Sequence, residues 1–117
     1  MKHLVLYSAL LIMLFPSLIF AKEFELRAAC YGPGLYGRRT ANGTKLRRWT
    51  RGIAHKHWQF GEKVVLKYKN NRTKAKVIDR GPNIRGLSID VTEATAKALG
   101  FKDCKEFGVR TLTVQRK

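Results

Sequence analysis

Two aspartates stand out in a chain that is short of acids. The stretch Val77-Ile78-Asp79-Arg80-Gly81-Pro82-Asn83-Ile84-Arg85-Gly86-Leu87-Ser88-Ile89-Asp90 holds two of the eight carboxylates, against 24 Lys and Arg in 117 residues. Each aspartate follows an isoleucine at the end of an apolar run. Between them, Gly81, Pro82 and Asn83 supply backbone freedom, a fixed φ and tolerance of a left-handed conformation. A strand is expected to end at Asp79, a tight loop to follow, and a short strand to return at Asp90. Two carboxyl groups then reach one surface, the minimum for general acid–base work on a glycosidic bond. Asp79 falls on the inward, apolar parity of its strand, where desolvation favours a protonated carboxyl and hence a proton donor. The same residues also allow purely structural roles. Asp90-Val91-Thr92-Glu93 reads as a helix capping box with Asp90 as N-cap and Glu93 at N3, and Asp79 has Arg80 and Arg85 nearby as ion-pair partners.

The elements that must position these groups are short. Phe24 to Tyr31 alternates in hydrophobicity and predicts a strand. The loop Gly32-Pro33-Gly34-Leu35-Tyr36-Gly37 follows, and Tyr31 and Tyr36 there either stack on sugar rings or cover a core edge. Thr44 to Arg51 carries Lys45, Arg47, Arg48 and Arg51 around Leu46 and Trp49. Such a run either tracks a phosphate backbone or is a solvated loop with its Trp in the core. Ile53-Ala54-His55 predicts a short strand. Lys63–Tyr68 and Thr73–Asp79 predict a hairpin about a two-residue Asn70-Asn71 turn. That register opposes Leu66 to Ala75, Val64 to Val77, Lys67 to Lys74 and Lys69 to Arg72. One face is then apolar and the other holds Lys63, Lys67, Lys69, Arg72, Lys74 and Lys76. Directly opposed like charges destabilise a sheet, so a polyanion partner is the economical account of that face. Val91 to Leu99 predicts a helix stopped by Gly100, and Val109 to Gln115 the last strand. Six short strands and one short α-helix suit a closed all-β barrel better than an open sheet with exposed edges.

The first 21 residues combine a basic start, an apolar run from Leu4 to Phe20 and Ala21 at a candidate cleavage point, as a secretory signal peptide does. Pro16 and the marginal length of the run speak against a lasting membrane span. No Cys lies near position 21, so a lipid anchor is not expected. Residues 22–117 then form one small domain with a net charge near +15, which seeks a polyanion. Export permits a disulfide between Cys30 and Cys104, the one intramolecular pairing that two cysteines allow; two buried thiols are the alternative. The spacing of Cys and His fits no zinc site, and no metal or cofactor is expected.

Several motifs occur together in order: Ala28-Ala29-Cys30-Tyr31-Gly32-Pro33-Gly34, Gly37-Arg38-Arg39-Thr40-Ala41-Asn42-Gly43, Ala54-His55-Lys56, Phe60-Gly61, Asp79-Arg80-Gly81-Pro82, Ile89-Asp90 and Ala98-Leu99-Gly100. In this the chain resembles the rare lipoprotein A-like family from about residue 26 to 115. The resemblance implies a six-stranded double-psi β-barrel, a fold shared with expansins, barwin and some cellulases. It implies a peptidoglycan lytic transglycosylase that leaves anhydro-muramyl ends. By position it implies Asp90 as catalytic acid, with Asp79 and His55 assisting. Arg38, Arg80 and Asn83 join Tyr31 and Tyr36 as candidate substrate contacts. Thr44 and Arg47 stand where the family usually has Glu and Asp, which favours the alternative of a non-catalytic, expansin-type wall-binding module. The expected partners are peptidoglycan glycan strands and anionic cell-envelope polymers, bound by a monomer. A nucleic-acid partner rests on charge alone, and the barrel motifs argue against it.

Overall fold

The computed structural model describes residues 22–117. The predicted signal peptide lies outside the described residues. Six strands, β1 (Glu23–Tyr31), β2 (Gly52–Ala54), β3 (Lys63–Tyr68), β4 (Asn71–Asp79), β5 (Ile89–Thr92) and β6 (Arg110–Arg116), close into a barrel in the order β1-β5-β2-β4-β3-β6. β1 runs parallel to β5 and β2 parallel to β4, while the remaining pairs are antiparallel. Alternation decides which side chains enter. Leu26, Ala28 and Cys30 of β1, Thr73, Ala75 and Val77 of β4, and Leu112 and Val114 of β6 face the interior. Ile53, Val64, Leu66, Ile89 and Val91 complete a filled core rather than a pore.

The hairpin keeps the predicted faces but not the predicted pairing. Lys63 lies opposite Lys76, Val64 opposite Ala75, Leu66 opposite Thr73, Lys67 opposite Arg72 and Tyr68 opposite Asn71. The turn is therefore Lys69-Asn70, and Lys69 takes the positive φ of 52°. Asn71 is held in the strand because its side-chain amide donates to the Leu99 carbonyl at 3.0 Å. The slip is by two residues, so no side chain changes face.

Helix α1 spans Glu93–Ala98, shorter than predicted, and its N-cap is Thr92 rather than Asp90. Val91 and Thr92 are claimed by β5, where they pair with Cys30 and Tyr31. The Thr92 hydroxyl donates to the Thr50 carbonyl at 2.7 Å and accepts from the Gly52 amide at 3.1 Å. A second helix, α2 (Cys104–Phe107), corrects the expectation of a single helix. Its signal was present as Asp103-x-x-Glu106, and Asp103 accepts from the Glu106 amide at 2.8 Å. α1 and α2 close one end of the barrel through Ala96, Leu99, Phe101 and Phe107, the two phenylalanines meeting edge-on at 4.8 Å.

Two details fix the start of β2. A Cβ on Gly52 would stand 2.4 Å from Ile78 Cδ1 and 3.3 Å from the Lys76 carbonyl, so a larger residue here would have to displace the Ile78 side chain. The fully buried Thr95 hydroxyl bonds both the amide and the carbonyl of Gly52, at 3.1 and 3.2 Å, and meets the Thr92 hydroxyl at 2.8 Å. Thr95→Val keeps the shape and strands these partners, so urea denaturation should give a loss of about 1–3 kcal/mol. An unchanged midpoint would mean that the network contributes nothing net. Cys30 and Cys104 are joined in a disulfide, Cα to Cα 5.2 Å, which ties β1 to the start of α2.

Candidate functional site

Ala54, the last residue of β2, is the pivot of the site. It pairs with Asp79 of β4 on one side and with Asp90 of β5 on the other. The two aspartates thus flank one small residue across adjacent strands, which places their Cα atoms about 10 Å apart, two strand spacings. The loop from Arg80 to Ser88 does not fold β5 back onto β4; β2 lies between them.

The two carboxyls are held differently. Asp79 Oδ1 accepts from the Ala41 and Arg80 amides, both at 3.0 Å, which fixes its orientation. The Asp90 side chain has no hydrogen-bond partner among the described residues and is half-buried. A Cβ on Gly81 would lie 4.0 Å from Asp90 Oδ2, so the loop backbone passes just over this carboxyl. Burial first, and the negative charge of Asp79 second, push the Asp90 pKa above the ordinary aspartate range. Tyr31, at the end of β1, joins them. Its hydroxyl is enclosed and without a well-formed hydrogen bond, although Asp79 is close enough to act on it. Burial, then Asp79, then Asp90 raise its pKa. Tyr31, Arg38 and Asp79 line one cavity of about 180 Å³ together with Leu35, Arg39, Thr40 and Leu46.

The other predicted residues are placed apart from this cluster or are already engaged. The His55 amide donates to the Asp79 carbonyl at 3.1 Å, but its imidazole belongs to another group. Nδ1 accepts from the His57 and Trp58 amides, both at 3.0 Å, and the ring stacks on Trp58 at 3.9 Å. The neutral ring therefore carries its proton on Nε2. Burial, then His57 and Arg116, lower its pKa, and its other charged neighbours are Glu62 and Arg80 rather than the aspartates. Arg116 covers Trp58 at 4.6 Å and pairs with Glu62. Arg80 lies 3.7 Å over the Phe60 ring and donates to the carbonyls of Trp58 and His55, at 2.7 and 3.2 Å, so it holds the loop after β2. Tyr36 donates to Glu93 at 3.0 Å and lies under Arg48, while Glu93 also accepts from the Cys104 amide at 3.1 Å. Asn83 is exposed in the loop before β5. Trp49 is 76% exposed, not in the core. Thr44 and Arg47 lie in the loop between β1 and β2, their amides bonded to Asn42 Oδ1 and Thr50 Oγ1.

The pivot Ala54 and the anchoring amide of Ala41 were missed from sequence. Both act through backbone, and only the adjacency of Ala54 to His55 in a short strand marked the place. The depression of the His55 pKa has a sign that can be tested. A histidine whose folded pKa is lowered supplies stability that is present above the unfolded value, and that stability is lost as pH falls through the folded one. Substituting His55 by Gln should therefore flatten the loss of thermal stability between about pH 7 and pH 5. An unaltered slope would show that the ring is not held neutral.

No family model matches the chain. It is 39% identical over 76 residues to a probable endolytic peptidoglycan transglycosylase RlpA of Aquifex aeolicus (strain VF5), covering 63% of this chain and 34% of that one. It is 30% identical over 95 residues to the endolytic peptidoglycan transglycosylase RlpA of Helicobacter pylori (strain J99), covering 80% of this chain and 30% of that one. The chain thus spans about a third of the length of these curated relatives. Among solved structures it is similar to the Streptomyces papain inhibitor, with a TM-score of 0.63 at 18% identity over 81% of this chain and 94% of that one. It is also similar to a mutant Clavibacter michiganensis expansin in complex with cellohexaose, with a TM-score of 0.64 at 13% identity over 82% and 50% of the two chains. The resemblance to RlpA-like proteins is borne out, and the fold is the double-psi β-barrel.

Proposed function

We propose that this chain is an exported, peptidoglycan-acting domain that cleaves glycan strands as an endolytic lytic transglycosylase. The observation that carries this reading is the Asp90 carboxyl: half-buried, free of hydrogen bonds among the described residues, and held protonated to higher pH than a surface aspartate. The relatives named as peptidoglycan transglycosylases support the substrate class. The apolar, basic leader supports export.

In this mechanism Asp90 gives its proton to the glycosidic oxygen as the bond from that oxygen to the anomeric carbon breaks. The resulting carboxylate accepts the proton of the sugar's own 6-hydroxyl as that oxygen bonds the anomeric carbon. The 1,6-anhydro ring closes without water and Asp90 regains its proton, so one acid serves both half-reactions. Asp79 acts through its charge, which keeps the proton on Asp90, and through the wall it shares with Tyr31 and Arg38. His55 and Arg80 position the loop after β2.

The test is to incubate the protein with purified sacculi and with peptide-free glycan, and to look for anhydro-muropeptides by mass spectrometry. A second reading, a wall-binding module without catalysis, is favoured by Thr44 and Arg47 at positions where acids are expected. Sedimentation with sacculi and no anhydro product would establish it. The acid role of Asp90 also fixes the pH dependence. Activity should fall as pH rises through the Asp90 pKa, and Asp79→Asn should move that limb towards lower pH because one of the two causes of the shift is removed. A limb that stays in place would break the link between the two carboxyls.

A further inference from the structure

We infer that the outer face of the β3–β4 hairpin is a second binding groove, built for a cell-envelope polymer that carries phosphodiester charges along its backbone. Arg51, Lys63, Lys74, Lys76 and Lys117 line a groove of about 590 Å³. A recess of about 290 Å³, bounded by Arg51, Arg72 and Lys74, continues from it. All six cations are exposed. None has an acidic partner: the ion pairs among the described residues are Lys67 with Glu23 and Arg116 with Glu62. The backbone forces these charges together. Lys63 is directly opposite Lys76, Lys76 pairs onward with Gly52 beside Arg51, and the Lys117 amide bonds the Lys63 carbonyl. The floor is apolar. Val65 has outward parity between Lys74 and Gln115, yet it is only 2% exposed. Lysine stems can lie on such a floor with their ammonium groups at the rim.

This arrangement selects its ligand by chemistry. A lone carboxylate or phosphate would neutralise one or two of six neighbouring charges, whereas a polymer charged at every repeat meets them all. The groove lining contains no aromatic ring, so it lacks the stacking platform that single-stranded nucleic acids use. It has no exposed apolar residue to enter a bilayer. Lysine predominates, and a mobile point charge suits a flexible backbone better than the fixed fork of arginine. The choice of an envelope polymer rests on the export proposed above. The groove shares no lining residue with the Asp79 cavity, and Lys76 precedes Asp79 by three positions on β4, about 10 Å. A polymer held here leaves the carboxylate pair open to a glycan strand.

Binding of the protein to labelled poly(glycerol phosphate), followed by fluorescence anisotropy against salt, tests this. Six contacts predict a slope of log K against log salt of about −4, and Lys74→Gln with Lys76→Gln should reduce its magnitude by about 1.4 and weaken binding at least about tenfold at low salt. Lys97→Gln with Lys105→Gln removes equal charge from exposed positions on the two helices and should leave affinity within about twofold. The proposal is overturned by absent binding or by equal weakening in that control. It is also overturned if oligothymidine, hyaluronan or phosphatidylglycerol vesicles bind as tightly as the polyol phosphate. Asp90→Asn should bind the polymer unchanged, and wild-type protein that grips the polymer but releases no anhydro-muropeptide would sink the transglycosylase reading alone.

Discussion

Asp90→Asn should lower the release of anhydro-muropeptides by about 10²- to 10⁴-fold, the range that one general acid contributes. The variant should still fold, because Asp90 caps no helix and makes no hydrogen bond among the described residues. Its stability carries a second, independent sign. An aspartate whose folded pKa is raised is penalised when ionised, so the wild type loses stability as pH rises through that value. The Asn variant should therefore melt no lower than wild type at pH 8, and its relative advantage should disappear once both states of the wild type are protonated in acid. Mass spectrometry of the digest and paired melting curves measure the two effects. Retained cleavage would remove Asp90 from the chemistry, and a marked loss of stability at pH 8 would return it to a structural role.

Losing the covalent tie between β1 and α2 should be the largest effect on stability. Cys30 and Cys104 are separated by 74 positions, and closing a loop of that size restricts the unfolded chain by about 4 kcal/mol in the chain-entropy account. For a domain of this size that corresponds to a fall in melting temperature of about 20 °C on replacing both cysteines by serine. The damage should be felt beyond the bond. The amide of Cys104 is anchored on Glu93, which also receives the Tyr36 hydroxyl, so the loop before the Asp79 cavity loses a fixed point. A drop of only a few degrees would mean that the unfolded chain is already compact or that the helices dock without the tie.

The barrel was legible because its strands alternate. Val64, Leu66, Ala75 and Val77 announce their inward parity, and Lys63, Lys74 and Lys76 their outward one. The exact pairing was not, because a slip by two residues leaves every face intact; what settles it is the amide of Asn71 reaching the distant Leu99 carbonyl. The helix start misled for a related reason. Asp90-x-x-Glu93 satisfies a local capping rule, but pairing with Cys30 and Tyr31 extends β5 through Val91 and Thr92 and passes the cap to Thr92. The convergence of Asp79 and Asp90 was anticipated from their loop, though the reason is the Ala54 strand between them. His55 lies beside them along the chain, and its ring turns to Trp58 because two consecutive backbone amides capture Nδ1. Such choices depend on three-dimensional neighbours that no local pattern encodes.

Thr92 both begins α1 and anchors β2, and this relieves Asp90 of any helix-capping duty. If Asp90 is the acid proposed above, chemistry and scaffolding are divided between two residues of β5, Asp90 and Thr92. On the proposed reading, a descendant could exchange Asp90 for a neutral residue, keep its shape and its hold on the wall, and become an adhesive instead of a blade in a single step.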